Sequence, residues 1–169
     1  MKNIFYLTAI LALFLSMDLQ AQPDNMVLSP ATGKYVMENV IEVSDATMDQ
    51  LFSKAKEWVS LNYVSANDVI QYAEGDKIIL KGAFAIGGLV SYRVDHTLVL
   101  MFKDGRFKYT YTDFVCDNTR DGGFRTAFEE NKGLGKFTKS VYKRTGEEVD
   151  ASVATLVKYM ETPTLASDW

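Results

Sequence analysis

The sequence predicts an α+β domain, a two-layer sandwich. An antiparallel five-stranded sheet carries helices on one face, in the order β-α-β-β-β-β-α. Three observations predict it. Asp104-Gly105 separates two long alternating runs, the strongest short signal for a β-hairpin. Two segments, opening at Thr47 and Thr145, pair a capping threonine with Gln50 and Glu148 and then carry apolar residues at helical spacing. The alternating runs are apolar on one side and polar on the other, so the sheet needs cover on one face only.

Taken in order, the chain opens with a secretory signal. Lys2 supplies a short positive region, and Ile4 to Leu15 is almost continuously apolar before the polar stretch that ends at Ala21. The run is too short to span a bilayer of about 30 Å, which needs roughly 20 apolar residues. Residues 1–21 are therefore read as a signal peptide cleaved after Ala21, and residues 22–169 as a mature chain with no transmembrane segment. No cysteine follows the apolar run, so the chain is not read as a lipoprotein. The expected destination is the periplasm or the extracellular space.

Residues 22–34 hold Pro23, Pro30 and Gly33 without an apolar period and read as a flexible leader. A single domain is expected over 35–162. Tyr35 to Ser44 is its first strand, rich in Val and Ile. The helix from Thr47 puts Met48, Leu51, Phe52, Ala55, Val59 and Asn62 on one face, with Trp58 beside the stripe. Asp68 to Glu74, Lys77 to Ile86, Val90 to Lys103 and Arg106 to Cys116 follow as strands, with turns at Gly75-Asp76 and Gly87-Gly88. Residues 117–145 carry four glycines and no sustained period, and read as a long loop. The last helix begins at Thr145 with the stripe Val149, Val153, Leu156, Val157 and Met160 and stops at Pro163, leaving 163–169 as a tail.

Composition excludes several classes. The net charge of −4 and the expected export both argue against nucleic-acid binding. One cysteine, Cys116, cannot form an intramolecular disulfide, so the fold stands on packing. With a single histidine and a single cysteine outside any ligand-spaced cluster, no metal site is expected, and no cofactor motif is present. Gly133-Leu134-Gly135-Lys136-Phe137-Thr138 glances at a phosphate loop but has Glu130 where the first glycine belongs and Phe137 where Ser or Thr belongs.

Three segments carry a family likeness. They are Ala55-Lys56-Glu57-Trp58-Val59, then Ser65-Ala66-Asn67-Asp68-Val69-Ile70-Gln71, and the hairpin Lys103-Asp104-Gly105-Arg106-Phe107-Lys108-Tyr109 leading to Thr112-Asp113-Phe114. In type and order the region 36–116 resembles the domain-of-unknown-function family 4468, small exported proteins of Bacteroidetes. The resemblance implies a fold like that of the TATA-binding protein, with a curved antiparallel sheet and helices on one face. It implies no activity and no site residues, and a shared fold does not imply DNA binding.

Three places invite chemistry. With a two-residue turn at Asp104-Gly105, cross-strand partners sum to 209, so His96 faces Asp113 on the side of Leu98, Leu100, Tyr109 and Tyr111. A histidine beside a carboxylate suits acid/base work; the same pair also serves as a plain polar contact at the end of a core stripe, and a bulge would dissolve it. In that register Cys116 faces Arg93 on the opposite side, either as an activated thiol or as an inert one. Finally Lys132, Lys136, Lys139, Lys143 and Arg144, with Phe137 and Tyr142 interleaved, form a basic stretch that is either suited to an anionic surface, a glycan or an acidic protein, or is a solvated loop whose aromatics tuck onto the domain.

The leading expectation is a non-enzymatic binding domain of the bacterial cell envelope, with an envelope protein, glycan or anionic surface as partner. The alternatives are a small hydrolase using His96 and Asp113, and a structural subunit that pairs through exposed strand edges.

Overall fold

Alternation, capping and turn chemistry produce the elements one by one. The computed structural model describes residues 26–87, 91–118, 123–130 and 135–162, as backbone only over 135–138. The described strands are β1 (Val27–Leu28), β2 (Tyr35–Glu42), β3 (Ile70–Glu74), β4 (Lys77–Ile86), β5 (Tyr92–Lys103), β6 (Arg106–Asp117) and β7 (Arg125–Ala127). The helices are α1 (Met48–Asn62), α2 (Ala66–Val69) and α3 (Gly135–Glu161), with a 3₁₀ turn at Phe128–Glu130. The strands form one antiparallel sheet in the spatial order β1-β2-β6-β5-β4-β3. β7 lies beside the second half of β6, whose first half pairs with β2.

The capping box at the start of α1 forms as expected. Thr47 Oγ1 accepts from the Gln50 amide at 3.3 Å, and Gln50 Oε1 accepts from the Thr47 amide at 2.8 Å. The hairpin turn completes this helix end, because Asp104 Oδ1 accepts from the Met48 amide at 2.8 Å. A carboxylate there also complements the positive end of the helix dipole.

Alternation along β5 and β6 then decides the layers. Val94, His96, Leu98, Leu100 and Phe102 point inward with Phe107, Tyr109 and Tyr111, and all are buried. Leu51, Ala55, Trp58 and Val59 of α1 cover this face together with Val141, Val149, Leu156 and Met160 of α3. Burying each large apolar side chain contributes about 1.5–3 kcal/mol, against about 1 kcal/mol for a typical cap, so packing holds the layers together. Trp58 belongs to this core, and its Nε1 donates to Thr155 Oγ1 at 3.2 Å, tying α1 to α3.

Three expectations are corrected. The five-stranded sheet gains two short edge strands, β1 and β7. β1 falls in the stretch read as a flexible leader: Val27 and Leu28 pair with Val36 and Tyr35, and the Ser29 and Lys34 backbones close the connecting loop. The long loop expected over 117–145 holds β7, the 3₁₀ turn and the opening of α3. Thr145 is not an N-cap. It lies inside α3, buried, with its hydroxyl donating to the Val141 carbonyl at 2.9 Å. The inward stripe runs Val141, Thr145, Val149, so the helix continues upstream despite Gly146, which costs about 1 kcal/mol relative to alanine. The tail at 163–169 and the expected signal peptide lie outside the described residues.

Candidate functional site

The hairpin keeps its expected register from Lys103↔Arg106 as far as Thr97↔Thr112 and then slips by one, so that Asp95 pairs with Val115 and Val94 with Cys116. Asp113 and Phe114 together oppose His96. This is a β-bulge, with Asp113 in the left-handed region at φ 56°. The slip turns Phe114 and Cys116 into the core and Asp113 outward, where its carboxylate meets the Lys34 ammonium. Burying Phe114 is favourable, while burying an unpaired carboxylate is costly. The His96/Asp113 pair does not form, and Cys116 does not face Arg93. Burial, and then the charge of Asp117, push the Cys116 thiol above its ordinary pKa, away from reactivity.

His96 is packed in the core instead. Its ring stacks on Phe84 with centroids 4.1 Å apart and lies 5.2 Å from Tyr111. Its partner on β4 is Gly82. Neither ring nitrogen makes a hydrogen bond of good geometry. Burial lowers the imidazole pKa to about 4, against small opposing contributions from the Val94 backbone and Asp95. Around it, burial pushes the Tyr63 phenol up to about 12 and the Tyr111 phenol further still, while Tyr111 Oη and Ser152 Oγ share a hydrogen bond of 2.8 Å.

The basic stretch lies on the first turns of α3, apart from Lys132, which lies outside the described residues. For Lys136 and Phe137 only the backbone is described, and it is helical. Lys139 is exposed. Tyr142 is half-buried. It stacks on Phe128 at 4.3 Å, meets the edge of Tyr35 at 5.2 Å and donates its hydroxyl to the Phe128 carbonyl at 2.5 Å, so it anchors α3 rather than facing a partner. Burial raises its phenol to about 12. Lys143 pairs with Glu147 at 3.3 Å, and Arg144 donates to the Gly87 carbonyl.

Lys143 and Arg144 also line a cleft of about 440 Å³ between the end of β4 and α3, shared with Ile86, Gly87, Ser140, Glu147 and Glu148. Helical spacing brings these groups together, since residues three and four apart share a face. Sequence reasoning found the two cations and missed Ser140, Glu147 and Glu148. The same i, i+4 spacing would have found them had the helix been extended upstream. Two cations and two carboxylates on one wall suit hydrogen-bonded recognition of a polar partner rather than a simple anion.

The sheet face away from the helices is open. The polar residues Arg93, Asp95, Thr97, Lys108, Thr110 and Thr112 of the hairpin lie on it, and the outer strands add apolar side chains. Tyr72, Ile79, Val99 and Thr110 run in register across four strands, and Met101 and Val40 flank Lys108 in the next row. Arg125 of β7 bridges Asp95 and Asp117 at 2.8 and 2.6 Å, closing one end of this face with an ion network. Among the described residues no cluster of three or more metal-binding side chains occurs, and no described helix is long and apolar enough to cross a membrane.

Residues 38–117 match the model of a family described as a domain of unknown function (DUF4468) with TBP-like fold. The chain is similar to a crystal structure of a TBP-like protein from Parabacteroides distasonis ATCC 8503. The TM-score is 0.69 at 13% identity, covering 81% of this chain and 99% of that one. It is also similar to a DUF4468 family protein from Bacteroides ovatus ATCC 8483, with a TM-score of 0.61 at 15% identity over 85% of this chain and 99% of that one. At such identities the likeness concerns the fold, and it extends beyond the DUF4468 segment to the flanking elements. No curated protein matches the chain.

Proposed function

We propose that this DUF4468 protein is an exported, non-enzymatic binding domain of the bacterial cell envelope, and that it takes a protein partner at the cleft between β4 and α3. One observation carries the reading: Ser140, Lys143, Arg144, Glu147 and Glu148 converge on a single open cleft of about 440 Å³. Donors and acceptors of both signs at one place match the hydrogen-bonding surface of a folded protein. The apolar run from Ile4 to Leu15 supports export. His96, the side chain best suited to proton transfer, is committed to the core, which removes the pair on which a hydrolase reading rested.

Crosslinked affinity capture of residues 22–169 in the native envelope, read by mass spectrometry, tests this. One dominant protein is expected with the wild type, and its yield should fall at least tenfold with Lys143→Ala/Glu147→Ala, which alters the cleft wall at exposed positions. Equal capture by the two chains would move the partner elsewhere. A glycan or lipid as sole captured species would refute the protein assignment.

A further inference from the structure

Among the described residues His96 is the one basic side chain in the core, with 3% of its surface exposed. Each neighbouring element presents something other than a counter-charge. β4 contributes Gly82 and the ring of Phe84. β6 contributes Tyr111, whose phenol stays neutral and is engaged with Ser152 of α3. The end of α1 contributes Tyr63, also a neutral phenol. Asp95 is next in sequence on β5 but points to the opposite face, where Arg93 and Arg125 hold it. Asp113 is turned away to Lys34. A proton on His96 would therefore sit among aromatic rings, with the Val94 backbone the one nearby acceptor that favours it and no hydrogen bond of good geometry at either nitrogen. Ring faces attract a cation, yet an unpaired buried charge is the costlier effect.

The neighbouring residues also define where relief is available. A methyl group built on Gly82 would lie 2.7 Å from Tyr63 Cε1 and 2.8 Å from His96 Nε2, so both rings close over the bare backbone of Gly82. Tyr63 is the C-cap of α1, where the helix gives way to a turn whose Val64 is fully exposed. Of the groups around His96, this one sits on a connecting segment rather than inside a strand or a long helix.

We propose that His96 is an acid-sensitive latch: uptake of a proton by its buried ring drives Tyr63 and the end of α1 off the sheet, opening the core beside Gly82. The direction follows from linkage. With a folded-state pKa of about 4, well below the ordinary 6.5, the open state holds more protons than the closed one between those values. Closure is unaffected above pH 6.5, weakens as pH falls through the window, and loses nothing further from this group below pH 4. The full effect on the closing equilibrium is roughly 300-fold.

The test uses the mature chain and two readouts. Nuclear magnetic resonance of the single histidine should show a ring that stays neutral in the folded protein well below pH 6. Amide protection at residues 61–65 should fall between pH 6.5 and 4.5 in the wild type. In His96→Gln, which cannot titrate, it should stay flat. A ring that titrates near 6.5 in the folded protein would overturn the proposal, as would an equal loss of protection in both chains. Should His96→Gln fail to fold, the wild-type titration alone decides the matter.

Discussion

Gly82→Ala places one methyl group where two rings already meet. Its carbon would sit 2.7 Å from Tyr63 Cε1, and 2.8 and 3.1 Å from His96 Nε2 and Cε1. Carbon pairs favour roughly 3.5–4.0 Å, so a ring must retreat by close to an ångström. In the closed protein at neutral pH both rings are braced. His96 is backed by Phe84 at 4.1 Å, and Tyr63 leans on Trp58 at 6.0 Å between centroids. Overpacking of this kind costs about 1–3 kcal/mol, and the lost backbone entropy of glycine in a strand returns about 0.5–1 kcal/mol. The net expectation is a destabilisation of about 1–2 kcal/mol, or a fall in Tm of roughly 4–8 °C for a domain of this size. Thermal unfolding at neutral pH, followed by circular dichroism, measures it. In a Tyr63→Ala background one of the two obstacles is gone, and the cost should shrink by about 1 kcal/mol. An unchanged Tm in Gly82→Ala, or strict additivity in the double mutant, would refute the close-packing argument.

Substitutions at two further positions probe the local chemistry. Thr47→Ala removes the acceptor of the α1 capping box and should cost about 1 kcal/mol in urea unfolding without altering the slope. Asp113→Val forces a β-branched residue into the left-handed region and should destabilise by about 1–2 kcal/mol, whereas Asp113→Gly should lie within about 1 kcal/mol of wild type. Glycine gains at the backbone about what the exposed Lys34 ion pair loses. Equal losses in the two Asp113 variants, measured by the same unfolding assay, would argue that the ion pair rather than the bulge matters.

The hairpin and α1 were legible because their signals are local. Asp104-Gly105 dictates its turn, with Gly105 at φ 75°, and Thr47 with Gln50 dictates a helix start. The same capping pattern at Thr145 and Glu148 misled, because a threonine inside a helix can bond back to the preceding turn and a local motif carries no word of what lies upstream. The spacing of Val141, Thr145 and Val149 was the better guide. The bulge had no local signal at all: Tyr109, Tyr111 and Asp113 alternate faultlessly. It arises because Phe114 and Cys116 fill the core better than Asp113 and Val115 would, a comparison that needs the opposite layer. The candidate site suffered from the same gap. Its basic residues are visible in composition, but which of them point together depends on where α3 begins, and no local motif marks Gly135 as its start. Tyr142 could be distinguished from its neighbours only once Phe128 and Tyr35 were beside it.

β6 meets two different neighbours along one side, β2 as far as Tyr111 and β7 from Val115 onward, with the bulge at the junction. A ladder interrupted in this way cannot be unzipped from one end. Fraying of β7 stops where its last rung stops and leaves the rungs to β2 intact, and loosening of β2 does not run on into β7. The central strand thus carries two ladders that open independently, so a disturbance at the rim by Arg125 stays at that rim.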